Sequence, residues 1–317
     1  MTDRYSEDEL IARVFAPIAG PASLGLNDDA ALIEASPEPT VATVDMLVAG
    51  VHFFADDPPE AIAKKALRVN LSDLAAKGAT PFGFLLSLAL PGDWTNDWLR
   101  VFAAGLAEDA RSYAAPLIGG DTTATPGPLT ISITALGRAP RFVPRTGARP
   151  GDAIYVSGTI GDAALGLALR KDPALASRFS PQARAHLLDR YLLPRPRLDL
   201  VPLVRAHASA AMDVSDGLAG DLAKLCRVSG VGAAVAAPLV PLSEAAREAI
   251  ALAPGLFETA LTGGDDYEIL FTASPDFSPP EGAVTRIGEI LAGRAEPQFC
   301  DAAKRPLIFE RLSFSHF

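Results

Sequence analysis

Apolar and polar residues repeat with two different periods along this chain, and the two periods predict a mixture of helices and strands. An apolar stripe from Leu10 to Ile18 follows a capping box formed by Ser6 and Glu9, which predicts a helix over 7–19. Runs rich in β-branched and apolar residues predict strands. In the first half of the chain these strands are 30–34, 40–47, 82–90 and 129–138.

The alternation of helices and strands continues to the end of the chain, with one interruption. The segment 145–152 is dense in glycine, proline and arginine, which is typical of a linker. It separates two predicted domains, 1–147 and 148–317. Because helices alternate with strands in both, the predicted fold class is α/β with α+β layering. The other predicted helices are 59–78, 97–115, 161–170 and several across 181–208, and the other strands are 153–158, 232–242 and 267–272.

Composition limits the classes of function. Of 317 residues, 49% are hydrophobic and 21% are charged, which is ordinary for a globular protein with a sizeable core. A net charge of −10 argues against a general nucleic-acid binder, which needs a basic face. Two cysteines exclude a disulfide framework, and the longest apolar run, 82–90, is about half the length of a membrane crossing. With no secretory signal visible, we expect a cytoplasmic protein without membrane or nucleic-acid partners.

Aspartates with apolar or glycine neighbours are the most informative polar residues. The stretch AMDVSDGLAGDL, 211–222, contains three carboxylates and no lysine or arginine. A buried carboxylate needs a partner or a metal, and Mg²⁺ prefers carboxylate oxygens, water and phosphate. A single aspartate before a helix is more often an N-cap, but the joint pattern indicates a magnesium–phosphate site. Its candidate members are Asp28, Asp29, Asp45, Asp73, Asp121, Asp213, Asp216, Asp265 and Asp266.

Two short elements recur in the two halves. LIGGDTT at 117–123 resembles LTGGDDYE at 261–268, and LSDLAAKGA at 71–79 resembles VSDGLAGDL at 214–222. Glycine pairs let the backbone approach a ligand and leave amides for phosphate oxygens. Asp213 and Asp216 would share one face if their segment were helical. We interpret Asp221 as structural or solvated.

Other chemistries fit the sequence poorly. There is no GxxxxGK[ST] P-loop, no GxGxxG motif after a strand and no GxSxG nucleophile elbow. His52 lies beside a predicted strand and is equally consistent with a site residue and with a half-buried structural histidine. Phe314, near the end of the chain, either docks the tail or stacks on a planar ligand.

Seven motifs resemble, in the same order, those of thiamine-monophosphate kinases. They are LNDDAAL, TVDMLVAGVHF, ALRVNLSDLAAKGATP, LIGGDTT, SGTIGDAALGLAL, MDVSDGLAGDL and LTGGDDYEILFT. The resemblance extends from about residue 20 to the end of the chain. It implies an N-terminal and a C-terminal domain similar to aminoimidazole ribonucleotide synthetase, which bind ATP without a P-loop. It also implies a homodimer in which the N-terminal domains pair.

The resemblance implies an activity and a set of site residues. The activity is the ATP-dependent phosphorylation of thiamine monophosphate to thiamine diphosphate, the last step of thiamine diphosphate biosynthesis. Several Mg²⁺ ions would neutralise the phosphates, and because the acceptor phosphate is already ionised, no general base is required. The implied magnesium positions are Asp28, Asp29, Thr43, Val44, Asp45, Asp73, Asp121, Asp213 and Asp216. The implied ATP contacts are Tyr113, Gly120, Asp121, Arg145 and Ser215, and the implied thiamine phosphate contacts are His52, Asp265 and Phe314.

Three positions depart from the family pattern, and none of them removes a metal carboxylate. Asn27 stands where the family has the second glycine of Gly-Ile-Gly-Asp-Asp; asparagine tolerates a left-handed backbone, so the turn is expected to survive. Val44 can offer a metal only its carbonyl, and Asp265 is one methylene shorter than the glutamate common in the family.

Alternative functions stay open. Selenide water dikinase normally has a reactive cysteine or selenocysteine near its N-terminus, whereas the first cysteine here is Cys226. Hydrogenase-maturation HypE has a C-terminal cysteine tail, whereas this chain ends in SFSHF. Aminoimidazole ribonucleotide synthetase remains possible on fold grounds. From another class, a nucleotide-binding regulator without turnover is the alternative, which the full set of aspartates disfavours.

Overall fold

The computed structural model describes residues 4–28 and 30–314, and the chain divides into two compact units. The first unit comprises Met1–Leu74 and Ala79–Pro140, and the second comprises Ala75–Gly78 and Arg141–Phe317. Each unit contains one β-sheet. The boundary between the units therefore separates the two sheets.

The first unit is built on a four-stranded sheet. Its strands are β1 (Thr40–Val48), β2 (Thr80–Leu90), β3 (Leu117–Ala124) and β4 (Thr130–Arg138), and the order across the sheet is β1-β4-β2-β3. β4 is antiparallel to β1 and β2, whereas β2 and β3 are parallel. The helices of this half are α1 (Glu7–Leu10), α2 (Pro59–Ala76) and α3 (Asn96–Ser112), with a π-helical turn at Ile11–Phe15 and 3₁₀ turns at Ala16–Ile18 and Pro21–Leu26.

The two faces of this sheet differ in exposure. Successive side chains of a strand point to opposite faces, and residues directly opposite one another on paired strands share a face. Leu86 and Ile133 pair across β2 and β4 and are 3% and 1% exposed, and Asp45 of β1 pairs with Ile133 on that same buried face. Val44 and Met46, on the other face of β1, are 60% and 58% exposed. We refer to these as the buried face and the open face.

The second unit is built on a six-stranded sheet. Its strands are β5 (Ala153–Ser157), β6 (Ala208–Asp213), β7 (Gly232–Ala236), β8 (Ile269–Ala273), β9 (Val284–Leu291) and β10 (Gln298–Cys300), and their order is β10-β7-β9-β5-β8-β6. Only the β10–β7 pair is parallel among the pairs of this sheet in the described part of the chain. The helices are α4 (Asp162–Lys171), α5 (Pro173–Ala176), α6 (Pro181–Leu192), α7 (Val201–His207), α8 (Leu218–Ser229), α9 (Glu244–Leu252) and α10 (Leu256–Thr262), with 3₁₀ turns at Leu198–Leu200 and Ala237–Leu239.

The β6–α8 connection lies inside the main apolar cluster of this unit. Met212 at the end of β6 and Val214 just after it are buried together with Leu218 and Leu222 of α8. Burial on both sides of the connection fixes the backbone of the intervening residues, because moving either end would expose apolar surface. The 211–222 stretch is therefore a strand, a turn and a helix start rather than one helix, so Asp213 and Asp216 do not share a helical face.

Several predicted elements are wrong in detail. Residues 30–34 form no strand. The predicted helix over 7–19 is helical but changes type twice, and Pro17, which has no N–H to donate, lies in its final 3₁₀ turn. The strand predicted over 232–242 ends at Ala236, before the 3₁₀ turn that contains Pro238. The pattern also missed β3, β6, β9, β10, α5, α9 and α10.

None of the helices formed by residues 4–28 and 30–314 is long and apolar enough to span a membrane.

Candidate active site

A cavity of about 660 Å³ lies against the open face of the first sheet. Its floor includes Leu85 and Ser87 of β2, Thr134 of β4 and residues 117–122 of β3. Its walls include Ile11 and Phe15 of the N-terminal helical segment, and further along the chain Leu26, Asp28, Ala30, Ala31 and Ile33. The volume is within the usual range for a small-molecule pocket, and the lining combines apolar walls with the carboxylates of Asp28 and Asp121.

The second glycine of Gly119-Gly120-Asp121 is required by a close backbone approach. β2 and β3 pair in parallel with Leu86 opposite Gly120, and a Cβ at Gly120 would lie 1.9 Å from the carbonyl oxygen of Leu86. No side chain fits at that distance. Asp121 follows directly, is exposed, and pairs with Ser87 on the open face that lines the cavity.

The turn before Asp29 does not use its asparagine as expected. The residues with positive φ are Leu24, Gly25 and Leu26, whereas Asn27 has φ −102°. The Asn27 side chain instead donates from Nδ2 to the carbonyl oxygen of Gly25 at 3.2 Å. Asn27 therefore stabilises the turn through its side chain rather than by adopting a left-handed backbone. Asp29 lies outside the described residues.

A second group of polar side chains connects β1 with α2 on the buried face. Thr43 Oγ1 donates to Asp73 Oδ2 at 2.5 Å, and the Asp45 N–H donates to Asn70 Oδ1 at 3.0 Å. Asn70 is fully buried, and its Nδ2 donates to the carbonyl oxygen of Ala66. These contacts place Thr43, Asp45 and Asp73 on one side of the sheet, whereas Asp121 is on the other. Five expected metal positions of this half lie on the sheet or on α2, and they form two groups, because Val44 lies with Asp121 on the open face.

Two more predicted site residues of the first unit have defined partners. The backbone N–H of Val48 donates to His52 Nδ1 at 3.0 Å, in the turn that follows β1. Tyr113, at the C-terminus of α3, has its ring 5.8 Å from the guanidinium of Arg68. Arg68 also donates from Nε and Nη2 to the buried carboxylate of Asp109, at 2.5 and 2.9 Å. A bidentate ion pair thus holds the cation that packs on the Tyr113 ring.

In the second unit, the two recurring motifs of the sequence lie against each other. The Asp265 N–H donates to the carbonyl oxygen of Ser215 at 2.9 Å, and the Tyr267 N–H donates to that of Val214 at 2.8 Å. A Cβ at Gly264 would lie 2.2 Å from the Ser215 oxygen. The loop 263–267 therefore crosses the loop 214–217 in direct backbone contact, which requires glycine at 264.

The crossing places three of the predicted side chains in one region. Asp265 has a positive φ of 70°, and Tyr267, with φ 53°, donates from its hydroxyl to Asp265 Oδ1 at 3.2 Å. The Phe314 N–H donates to the carbonyl oxygen of Asp216 at 3.1 Å, and the Phe314 ring is 50% exposed. Left-handed backbone at two non-glycine positions of one short loop is uncommon and is typical of functional sites.

Asp216 and Asp221 share a cation that sequence analysis did not include. Lys224 donates from Nζ to Asp216 Oδ2, and to Asp221 Oδ1 at 2.8 Å. Asp221 is fully buried and accepts the Asp216 backbone N–H at 2.9 Å. Burial lowers the pKa of Lys224, but its hydrogen bonds to the two carboxylates outweigh that effect and raise it. Asp221 is thus structural, and Lys224, two residues beyond the quoted stretch, supplies its counter-charge.

Asp213 and Arg145, also predicted as site residues, occupy different environments. Asp213 ends β6, pairs with Ile269 of β8 and is only 5% exposed. Arg145 is exposed on the segment after Val143, and its carbonyl oxygen accepts from Ser229 Oγ at 3.4 Å. The aspartate is therefore held inside the unit, while the arginine side chain lies at its surface.

Two further residues of the GGDDYE motif, Asp266 and Glu268, are buried and anchor the crossing loops to the rest of the unit. Asp266 is buried and accepts the backbone N–H of Gly161 at 2.7 Å, so it caps the N-terminus of α4, and desolvation raises its pKa well above the ordinary value. Glu268 is buried and accepts from Ser157 Oγ at 2.5 Å, from Arg190 at 3.0 Å and from Arg197 at 3.2 Å. Along the motif, the half-buried residues Asp265 and Tyr267 therefore alternate with the buried residues Asp266 and Glu268.

The family of the chain follows from comparisons with known proteins. Residues 27–139 match the N-terminal domain of AIR synthase related proteins, and residues 149–300 match the C-terminal domain. The thiamine-monophosphate kinase of Caulobacter vibrioides is 40% identical over 304 residues, covering 91% of this chain and 85% of that protein. The chain belongs to the thiamine-monophosphate kinase family. The Salmonella typhimurium member is 42% identical over 271 residues, covering 84% of this chain and 82% of that protein.

A solved structure of a family member has the same fold. The structure of AaThiL complexed with AMPPCP and TMP superposes with a TM-score of 0.79 and 34% identity, covering 92% of this chain and 91% of that one. The expected fold class, with two aminoimidazole ribonucleotide synthetase-like domains, is confirmed.

Among the predicted site residues, the structure groups some members and separates others. Asp28, Gly120 and Asp121 line one cavity, Thr43 contacts Asp73, and Ser215, Asp216, Asp265 and Phe314 surround one loop crossing. Lys224 and Tyr267 were missed by sequence analysis. Lys224 stands at i+3 from Asp221 on α8, a spacing that could have identified it. Tyr267 gave no such signal, because its role depends on a backbone conformation.

Proposed function

We propose that this chain transfers the γ-phosphoryl group of ATP to thiamine monophosphate, giving thiamine diphosphate and ADP. The observation that supports this most directly is the loop crossing, where Ser215, Asp216, Asp265 and Phe314 come together in a member of the thiamine-monophosphate kinase family. A family member has been solved with AMPPCP, an ATP analogue, and TMP. We also propose a cytoplasmic location, because the reaction consumes ATP.

The open-face cavity is the proposed position of ATP. Its apolar wall at Ile11 and Phe15 suits a planar base, and the backbone amides around Gly119 and Gly120 suit phosphate oxygens. Asp28 and Asp121 would face the phosphates only in the presence of cations, because bare carboxylates repel them.

The donor chemistry of the proposed metal positions fits Mg²⁺. The side chains that would hold it are carboxylates and a hydroxyl, with no sulfur and no imidazole, at Asp28, Asp29, Thr43, Asp45, Asp73, Asp121, Asp213 and Asp216. Val44 would contribute its carbonyl. Across 4–28 and 30–314, no group of three or more His, Cys, Asp or Glu side chains is arranged to hold a metal ion. Mg²⁺ usually takes one or two carboxylates together with waters and substrate phosphates. When bound, it would neutralise the charge on the transferring phosphoryl group.

The proposed acceptor needs positioning rather than deprotonation. A phosphate monoester is largely ionised near neutral pH, so no side chain has to act as a general base. Phe314 offers a half-exposed ring for the planar part of thiamine monophosphate, and Asp265, oriented by the Tyr267 hydroxyl, offers a carboxylate for a cationic or N–H group. The remaining proposed contacts are Tyr113, Arg145 and Ser215 for ATP, and His52 for thiamine monophosphate.

An assay of ADP release with thiamine monophosphate, ATP and Mg²⁺ tests the proposal. We expect turnover with thiamine monophosphate, and none with thiamine or with aminoimidazole ribonucleotide precursors. Asp73→Asn and Asp216→Asn should each lower kcat by at least about tenfold, because each removes a charge that positions the phosphates. Asp97→Asn, at a side chain that is 84% exposed, is the matched control and should retain turnover. Normal turnover of Asp73→Asn and Asp216→Asn would contradict the proposed roles.

We further propose that the enzyme is a homodimer formed through the N-terminal units. Val44 and Met46 lie on the open face of an edge strand and are 60% and 58% exposed, an apolar surface of the kind found at interfaces. Sedimentation of the wild type should give twice the chain mass. Met46→Glu should shift the enzyme toward monomer, and Ile308→Glu, at a side chain that is 92% exposed elsewhere, should not.

A further inference from the structure

Lys224 makes an unusual pair of contacts at the loop crossing. Its ammonium reaches the carboxylates of Asp216 and Asp221 at the same time, and its side chain is 27% exposed. The Asp221 side chain is fully buried, whereas the Asp216 side chain is 36% exposed. One carboxylate can therefore exchange its partner with solvent or a ligand, and the other cannot.

The burial of Asp221 fixes the lysine in place. A buried carboxylate without a counter-charge is costly, so the contact with Asp221 holds the ammonium in place. Asp221 also accepts the Asp216 backbone N–H, and the Asp216 carbonyl oxygen accepts the Phe314 N–H. The backbone of Asp216 is thus held from both sides, and only its carboxylate is able to change partner.

The contact between Lys224 and Asp216 goes beyond what stability requires. The structural need for a counter-charge is met by Asp221 alone, since its contact with Lys224 is at 2.8 Å. The Lys224–Asp216 pair is half-buried and open to solvent on the Asp216 side, so it adds less to stability than the contact with the fully buried Asp221. It does place a positive charge at the carboxylate that we expect to bind a divalent cation.

We propose that Lys224 is a positioning residue that holds the Asp216 carboxylate before a divalent cation binds and then releases it while remaining on Asp221. The inference rests on the proposed function, because it takes Asp216 as a ligand of that cation. Lys224 keeps the carboxylate oriented and prevents it from folding back against the crossing loops. It also raises the cation concentration at which Asp216 becomes occupied.

The predicted consequence is a competition that can be measured without turnover. Mn²⁺ takes the same carboxylate and water ligands as Mg²⁺, and the loss of its free-ion EPR signal reports binding. Lys224→Met/Asp221→Asn removes one positive and one negative charge, so the net charge is unchanged and no buried carboxylate loses its partner. We expect this variant to bind Mn²⁺ roughly threefold to tenfold more tightly than the wild type, because Asp216 no longer has to give up its ion pair with Lys224 when the metal binds.

Three variants make the experiment specific. Lys224→Arg changes the shape of the side chain but keeps its charge, and it should retain wild-type Mn²⁺ affinity. That result would show that the charge at position 224, not the side-chain shape, sets the affinity. Lys64→Met is the matched control. It breaks an ion pair between Lys64 of α2 and Glu108 of α3 and should leave the Mn²⁺ affinity unchanged. Asp216→Asn should weaken Mn²⁺ binding, and adding Lys224→Met/Asp221→Asn to it should have no further effect, because the competition acts through Asp216.

The outcomes separate this inference from the function on which it rests. If Asp216→Asn leaves Mn²⁺ affinity unchanged, Asp216 is not a metal ligand, and both the assignment and the inference fail. If Asp216→Asn weakens binding but Lys224→Met/Asp221→Asn does not tighten it, only the inference fails. Tighter binding that persists in the Asp216→Asn background would also overturn it, because the effect would then be a general one of charge.

Discussion

The two Gly-Gly-Asp elements of the molecule have the same sequence and different secondary structures. Gly119-Gly120-Asp121 is part of β3, whereas Gly263-Gly264-Asp265 is a loop between α10 and β8. In both, a Cβ on the second glycine would lie within about 2 Å of a carbonyl oxygen, 1.9 Å at Gly120 and 2.2 Å at Gly264. The shared sequence therefore specifies a close backbone approach followed by a carboxylate, and the surrounding structure decides whether the segment is a strand or a loop.

The comparison also shows where each aspartate obtains its orientation. Asp121 is oriented by a parallel strand pair, in which Ser87 lies opposite. Asp265 is oriented by its own left-handed backbone and by the Tyr267 hydroxyl. A regular ladder in one unit thus performs the task that an irregular loop performs in the other.

The largest expected effect comes from filling the two close approaches. Gly120→Ala and Gly264→Ala should each lower the free energy of unfolding by about 3 kcal/mol or more, because backbone atoms must move to admit a methyl group. Urea unfolding monitored by circular dichroism measures the change. Gly92→Ala and Gly255→Ala, where a Cβ would meet nothing within 4 Å, are the controls for the two units and should change it by less than about 1 kcal/mol. A small effect at Gly264 alone would show that the loop tolerates what the strand does not.

The next effect compares the buried arginine–carboxylate pairs of the two units. Glu268→Gln should destabilise the protein by about 3 kcal/mol, because Arg190, 4% exposed, loses its charged partner. Asp109→Asn should cost about 2 kcal/mol, because Arg68 is 14% exposed and keeps its contact with the Tyr113 ring. Asp189→Asn, which breaks an exposed pair with Arg195, should cost less than about 0.5 kcal/mol. If Asp109→Asn lowered the free energy of unfolding more than Glu268→Gln, the argument from burial would be contradicted.

A pH effect of intermediate size is expected from Asp266 in the second unit. Desolvation raises its pKa in the folded state well above 3.8, so the folded state binds more protons than the unfolded state above pH 3.8. The contribution of Asp266 to stability is therefore complete at lower pH and is lost as the pH rises through the folded-state pKa. The difference in Tm between the wild type and Asp266→Asn should become less favourable to the wild type as the pH rises. A constant difference would show that Asp266 does not titrate in this way.

The smallest effect concerns one helix cap from each unit. Thr95 caps α3 through the Trp98 N–H, and Thr95→Ala should cost about 1 kcal/mol. Ser243 caps α9 and also donates to the buried carboxylate of Asp162 at 2.5 Å, so Ser243→Ala should cost about 2 kcal/mol. Thermal unfolding of the two variants side by side measures the difference, and equal losses would show that the second bond adds nothing.

Sequence reasoning recovered the parts of this molecule that depend on local patterns. The helix over 59–78 and the strands at 40–47 and 129–138 were predicted because periodicity and caps are local, and they correspond to α2, β1 and β4. β3 was missed because its glycines carry no strand signal, and its pairing with β2 is a tertiary contact. The partner of Asp221 was missed because Lys224 lies beyond the 211–222 stretch, one turn further along α8.

In the candidate site, too, local patterns were predicted and tertiary contacts were not. That Asp216 and Asp265 belong together was suggested by two similar motifs, but their contact is made by backbone hydrogen bonds of the crossing loops, which no periodicity encodes. The separation of Asp45 and Asp121 onto opposite faces of one sheet also depends on strand register. Residue type predicted the chemistry, and register decided which residues meet.

The hydrogen bond from Val48 to His52 fixes which tautomer the imidazole adopts. A backbone N–H can only donate, so Nδ1 must be the acceptor, and in the neutral ring the proton is then on Nε2. A second proton on the ring would break this bond. A neutral His52 can therefore offer a ligand only an N–H donor from Nε2, and a substrate that binds there has to present an acceptor atom, such as a phosphate oxygen or a ring nitrogen lone pair.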